Sequence, residues 1–164
     1  MKRNVGRLAA VMFALSILLA ATPPQEAVAR QQPQLGPHIG FIFDGEDLLL
    51  GGQFAIPLIE QVEFYPSVDV YLPDDGTLLG FNADARYMIP TQEGFSVYAG
   101  GGLNLLYRSV AGISDTDLGV NLIGGAKTEM GTIHPFAEGR AIIHGESSFQ
   151  LVVGLNFVIA TTSP

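Results

Sequence analysis

The chain has 164 residues, 48% of them hydrophobic, with a formal charge of −8 and no cysteine. Beyond its first few residues so acidic a chain has no basic patch to hold nucleic acid or anionic headgroups electrostatically, and no nucleic-acid partner is expected. It also has no disulfides to staple a domain exported from the cytoplasm.

The first element is a leader. A basic stretch, "MKRNVGR", precedes the apolar run "LAAVMFALSILLAA", and Ala27, Val28 and Ala29 give a small-x-small cleavage pattern. Residues 1–29 therefore read as a cleaved signal peptide, because the apolar run is short for a spanning helix. Its removal leaves five Lys+Arg against fifteen Asp+Glu, a formal charge of −10. Residues 30–35 read as a flexible mature N-terminus, 36–159 as one barrel domain and 160–164 as a tail. After residue 30 no apolar run is long enough for a membrane helix, so a membrane reading requires a closed barrel.

Eight apolar-alternating segments follow, each closed by turn residues. "HIGFIF" (38–43) ends at "DGED", and "LLLGGQFAI" (48–56) at Pro57. "VEFYPSVDVYL" (62–72) contains Pro66, which removes a ladder donor and predicts a local irregularity. "LLGFNADARYMI" (78–89), "FSVYAGGGLNLLYR" (95–108) and "TDLGVNLIGGAKT" (116–128) come next, with "SVAGISD" as the longest connection. "IHPFAEGRAII" (133–143) and "SFQLVVGLNFVI" (148–159) complete the set. Ordinary globular strands run to about five or six residues, whereas tilted transmembrane strands need about nine to eleven. The fold class read from this is all-β, an eight-stranded antiparallel up-and-down transmembrane β-barrel.

Alternation sets the faces. Glu63, Tyr65, Ser67, Asp69 and Tyr71 oppose Phe64, Val68, Val70 and Leu72. Asn82, Asp84 and Arg86 oppose Phe81, Ala83, Ala85 and Tyr87, and Phe136, Glu138 and Arg140 oppose Pro135, Ala137 and Gly139. A soluble surface carries abundant charge of both signs, but these polar faces are rich in Gly, Asn, Ser and Tyr. They suit a crowded lumen, in which Gly100, Gly102, Gly119, Gly125 and Gly154 make room for long side chains. Glu63, Asp69, Asp84, Arg86, Glu138 and Arg140 are the expected lumen charges, with the two arginines paired to the carboxylates. A filled interior of this kind is not a large conducting pore. The alternative is a soluble periplasmic or secreted lipocalin-like barrel, apolar inside, binding a small apolar ligand.

With the N-terminus taken as periplasmic, the outward connections carry Asp44, Glu46, Asp47, Asp74, Asp75, Asp115, Asp117 and Glu146. The opposite turns carry Glu60, Glu93 and Glu129. Phe41, Phe43, Tyr71, Tyr87, Phe95 and Tyr107, near strand ends, suit interfacial belts. His38, His134 and His144 have no metal-ligand spacing, and no cofactor or metal site is expected. Ser109, Ser114 and Ser147 have no base and orienter in view, so the chain does not read as an enzyme.

On "SVYAGGGLNLLYR", "DLGVNLIGGAKTEMG" and "HPFAEGRAIIHGESSFQLVVGLNFVI", the chain resembles the small outer-membrane β-barrel proteins of the OmpA/OmpX-like class. Pro135, Phe136, Glu138 and Arg140 match the penultimate strand of that class, and Gly154 and Phe157 the last. The resemblance implies a bacterial outer-membrane protein, monomeric, contacting outer-membrane lipid and lipopolysaccharide and assembled by the outer-membrane insertion machinery. Its role would be structural or surface-interacting. Some small barrels modify lipid A near the outer rim, where His144, Glu146 and Ser147 fall here. The class usually ends on an aromatic residue, whereas this chain continues from Phe157 through "VIATTSP". Its outward connections are also short for adhesins.

Overall fold

The computed structural model describes residues 32–45, 47–73, 77–92, 94–110, 113–145 and 147–159. The predicted signal peptide, Glu46, Asp74, Asp75, Glu93, Glu146 and the tail lie outside the described residues.

The strands are β1 (Gln34–Ile42), β2 (Asp47–Ile59), β3 (Val62–Leu72), β4 (Thr77–Gln92), β5 (Phe95–Val110), β6 (Ile113–Thr128), β7 (Ile133–Ile143) and β8 (Ser148–Val158). Each pairs antiparallel with the next, and β8 pairs back onto β1 to close the barrel. Closure removes the free sheet edges that hydrocarbon would not tolerate. The stagger follows from the register. A path across the strands from Val62 through Tyr87, Ala99, Gly124, Gly139, Leu151, Phe41 and Leu48 returns to β3 at Leu72, ten residues further on. Closing eight strands with such a shear requires a tilt of roughly 35–45° and leaves an interior that side chains can fill.

Connections β1–β2, β3–β4, β5–β6 and β7–β8 gather at one end, here the loop end. The start of β1, the end of β8 and connections β2–β3, β4–β5 and β6–β7 gather at the other, here the terminal end. Two of the latter turn on glycines with φ of 73° (Gly94) and 67° (Gly131), a region open to glycine but strained for most residues. Backbone bonds tie this end together: Glu129 N–H donates to Gly94 O (2.7 Å), and Ile159 N–H to Pro33 O (2.8 Å).

Four details differ from the sequence reading. β1 begins at Gln34 rather than His38, with Pro37 paired to Gly52 where its missing donor is tolerated. "SVAGISD" is mostly strand: Ser109 pairs with Ser114 and Val110 with Ile113, leaving 111–112 as the connection. The irregularity expected at Pro66 is present on one side only: the β3–β4 ladder is regular there, while the β2–β3 pairs stop at Gln53–Ser67 and resume at Ile56–Phe64. The register shift of that pair of strands lies at Pro57/Ile59. Tyr71 does not join an interfacial belt. It shares the inward parity of Asp69 and is buried with Ile42, Leu49 and Leu106 beneath the loop end.

The outward face is apolar on every strand. Leu35, Ile39, Leu50, Phe54, Val70, Phe81, Leu103, Leu122, Ile143, Leu151 and Val153 are all exposed large hydrophobics. Phe41, Phe43 and Phe149 meet ring to ring near the loop end, with centroids 5.3 and 5.6 Å apart. Near the terminal end, Tyr87 lies outward and its hydroxyl donates to Gln61 Oε1 (2.6 Å). An aromatic ring in the apolar layer with its hydroxyl bonded toward the edge suits a membrane boundary.

Candidate functional site

The candidate site is the lumen itself. Strand alternation aims Glu63 and Asp69 inward from β3, Asp84 and Arg86 from β4, and Glu138 and Arg140 from β7. All six are buried, and Asp69 and Asp84 are 0% exposed. Burial on this scale requires that each charge find a partner.

Arg140 is the hub. Its Nη1 donates to Asp69 Oδ2 (3.2 Å) and its Nη2 to Glu138 Oε1 (3.0 Å), while Nη2 also lies 3.5 Å from Asp84 Oδ2. Arg86 donates to the other Glu138 oxygen. Glu138 thus bridges the two guanidiniums across the barrel. The pair two residues apart on β7, Glu138 and Arg140, is joined. The corresponding pair on β4 is not, since Asp84 turns to Arg140 of the opposite wall. The Arg86 guanidinium stacks over Tyr65, 3.0 Å from its ring centroid, and lies 4.6 Å from that of Tyr98. Flat aromatic faces of this kind accommodate a desolvated guanidinium.

Glu63 pairs elsewhere. Its Oε1 accepts from Lys127 Nζ at 2.6 Å, toward the terminal end. Between charges, amides fill the remaining donor and acceptor positions. Asn82 Nδ2 donates to Ser67 Oγ (3.0 Å) and Asp69 Oδ2 (2.8 Å), and its Oδ1 accepts from Asn104 and Asn121 (2.8 and 2.9 Å). Asn121 also donates to Asp84 Oδ1 (2.8 Å). Hydrogen bonds to ionised carboxylates are among the stronger ones, and stronger still away from water.

Sequence reasoning placed Asn82 on the lumen face but omitted Lys127, His38, Gln53, Asn104 and Asn121 from the lumen set. A signal was present: Asn104 in "GGLNLLYR" and Asn121 in "LGVNLIGG" are lone polar residues at inward parity among apolar neighbours. Two of the small residues do face large inward rings. Tyr98 is opposite Gly125 and Phe136 opposite Gly154, and a Cβ on either glycine would fall 2.6 Å from ring atoms. The three histidines are not brought together. His38 meets Asp69, His134 Nε2 donates to Gly131 O (3.2 Å), and His144 lies beside Gly119. Among the described residues no group of three or more His, Cys, Asp or Glu is arranged to hold a metal ion. The lumen compensates charge, and its buried serine, Ser67, accepts from Asn82.

No family model matches the sequence, and no curated protein matches it. Solved structures do. The N-terminal β-barrel domain of Pseudomonas aeruginosa OprF superposes with a TM-score of 0.69 at 18% identity, covering 78% of this chain and 97% of that one. Neisserial surface protein A (NspA) gives 0.56 at 16% identity, covering 78% and 95%. Ail, the attachment invasion locus protein of Yersinia pestis, gives 0.54 at 12% identity, covering 78% and 97%. The fold is that of the small eight-stranded outer-membrane β-barrels.

A transmembrane barrel is inverted relative to a soluble one, and this lumen is of the inverted kind. The lipocalin-like alternative needs an apolar interior. Here the largest fully buried side chains include Arg86, Arg140, Gln53, Gln150 and Glu138. Among the described residues, two clusters of buried apolar side chains lie inside, Ile42–Leu49–Tyr71–Leu106 under the loop end and Ala55, Tyr65, Phe136 and Val152.

Proposed function

We propose that this protein resides in the bacterial outer membrane as a monomeric barrel with a structural or surface-interaction role and without catalysis. The observation that carries the reading is the inversion itself. A closed barrel with a ring of exposed large hydrophobics would aggregate in water, and in hydrocarbon the same surface is at home. The surface roles named for Ail and Neisserial surface protein A support the same class. Outer-membrane lipid and lipopolysaccharide are the proposed partners. Asp44, Asp47, Asp115 and Asp117 lie at or near the loop end, where divalent cations would bridge them to lipid phosphates. Phe157, on the outward face next to the end of β8, is proposed as the aromatic residue that the insertion machinery reads.

Fractionation of expressing cells tests this. The protein is expected in outer membranes and to migrate differently on gels before and after boiling. A monodisperse product purified without detergent would overturn the membrane reading.

A further inference from the structure

Two buried histidines of the lumen are held in opposite ways. His38 Nε2 lies 2.7 Å from Asp69 Oδ1, and its Nδ1 meets Gln53 Oε1. The Gln53 amide has its orientation fixed from its other end. Gln53 Nε2 contacts the Leu155 carbonyl (3.2 Å) and Asn156 Oδ1 (2.7 Å), and a backbone carbonyl only accepts. The oxygen of Gln53 therefore faces His38. On the other side, Asp69 also accepts from Arg140 and Asn82 through Oδ2, which holds it as a carboxylate. Both ring nitrogens of His38 thus face acceptors, and an imidazole satisfies two acceptors only when both nitrogens carry protons. His134 is the contrast: its Nε2 donates to Gly131 O, while its Nδ1 has no hydrogen-bond partner. One donated proton is what a neutral ring supplies.

We infer that His38 is a lumen cation, an imidazolium bridging Gln53 and Asp69, and that His134 is neutral. The charge count of the interior agrees independently. Among the described residues, the buried carboxylates are Glu63, Asp69, Asp84 and Glu138, against Arg86, Lys127 and Arg140. A single charged histidine makes that interior neutral. The groups facing His38 are Asp69 of β3, Gln53 and Gly51 of β2, and, through Asp69, Arg140 of β7. Arg140 opposes the charge, and its hydrogen bond goes to the other Asp69 oxygen. Asp69 is thereby the shared anion of two cations, one from β1 and one from β7, which makes His38 a positioning residue for the Arg140 hub.

Nitrogen-15 NMR of histidine-labelled, detergent-refolded barrel at neutral pH reads the charge state directly. His38, assigned by its loss in His38→Gln, is expected to show both ring nitrogens protonated, and His134 one protonated and one bare. A bare ring nitrogen on His38 would overturn the inference, and so would two protonated nitrogens on His134 with one on His38. If His38→Gln does not refold, Gln53→Met serves instead. It removes the acceptor at Nδ1 and leaves Asp69, so His38 is expected to lose a ring proton. Unchanged double protonation in that variant would show that Gln53 does not hold the proton and would defeat the proposed bridge.

Discussion

On β4, Asn82, Asp84 and Arg86 point into the barrel, whereas Phe81, Ala83 and Tyr87 point out of it. The inward set is specified atom by atom: Asn82 alone makes four hydrogen bonds to Ser67, Asp69, Asn104 and Asn121. The outward set is specified only by its hydrophobicity and by the length of the strand. In a soluble protein the core is where packing is exacting and the surface is lenient. Here the exacting region is polar and the lenient one apolar, so the usual guide to which substitutions matter is reversed.

The sharpest way to break this contrast is to remove the hub. Arg140→Met is roughly isosteric along its stem but leaves Asp69, Asp84 and Glu138 facing one another. Deleting one partner of a buried ion pair costs about 3–5 kcal/mol, and three carboxylates lose their shared cation here. Urea unfolding of the refolded barrel in detergent is expected to show a large fall in midpoint. An unchanged midpoint would mean that water, rather than Arg140, satisfies these carboxylates.

A charge placed on the lenient face should rank next. Leu103 points outward from the middle of β5, beside Ala83 and Val120. Leu103→Arg is expected to cost about 2–4 kcal/mol when measured in lipid bilayers, the value for a cation near the midplane of a barrel. In a thin detergent micelle the penalty should shrink. Equal penalties in both would indicate a packing fault rather than a lipid-facing position.

Arg86→Met should cost less than either, about 1–3 kcal/mol. Glu138 then loses one guanidinium and keeps the other, because Arg140 still reaches Oε1 at 3.0 Å. The methionine can also remain packed against Tyr65 and Phe136. A double variant with Glu138→Gln tests the coupling: the two changes together should cost clearly less than their sum.

Much of this was legible in the alternation of polar and apolar residues. The parity of Glu63 through Tyr71, and of Asn82 through Arg86, places each residue on the face where the structure has it. Parity fixes a face but not a height, which is why the pairing partners were not legible. A shear of ten carries β4 and β7 to the same level of the lumen, so Arg140 meets Asp84 across it. Tyr71 was misplaced for the opposite reason. Proximity to a strand end suggested a belt, although its own alternation with Asp69 already pointed inward. The "SVAGISD" stretch looked like a loop because Ser, Gly and Asp are turn residues. Cross-strand pairing with its own hairpin partner overrides that local preference, as it also does at Gln34–Pro37.

The smallest expected effect tests the lenient side on its own terms. Leu103→Ile keeps the hydrophobicity and nearly the volume of an exposed side chain. It should change stability by less than about 0.5 kcal/mol, as surface substitutions usually do. The inward counterpart, Asn104→Asp, is equally conservative in volume and sits on the very next residue. It replaces a donor to Asn82 with an acceptor and adds an unpaired buried charge, so it should be several times more damaging. Similar small effects from both would mean that the lumen network tolerates rearrangement. A wide gap between two adjacent residues would show that the boundary between exacting and lenient falls at the barrel wall, one residue thick.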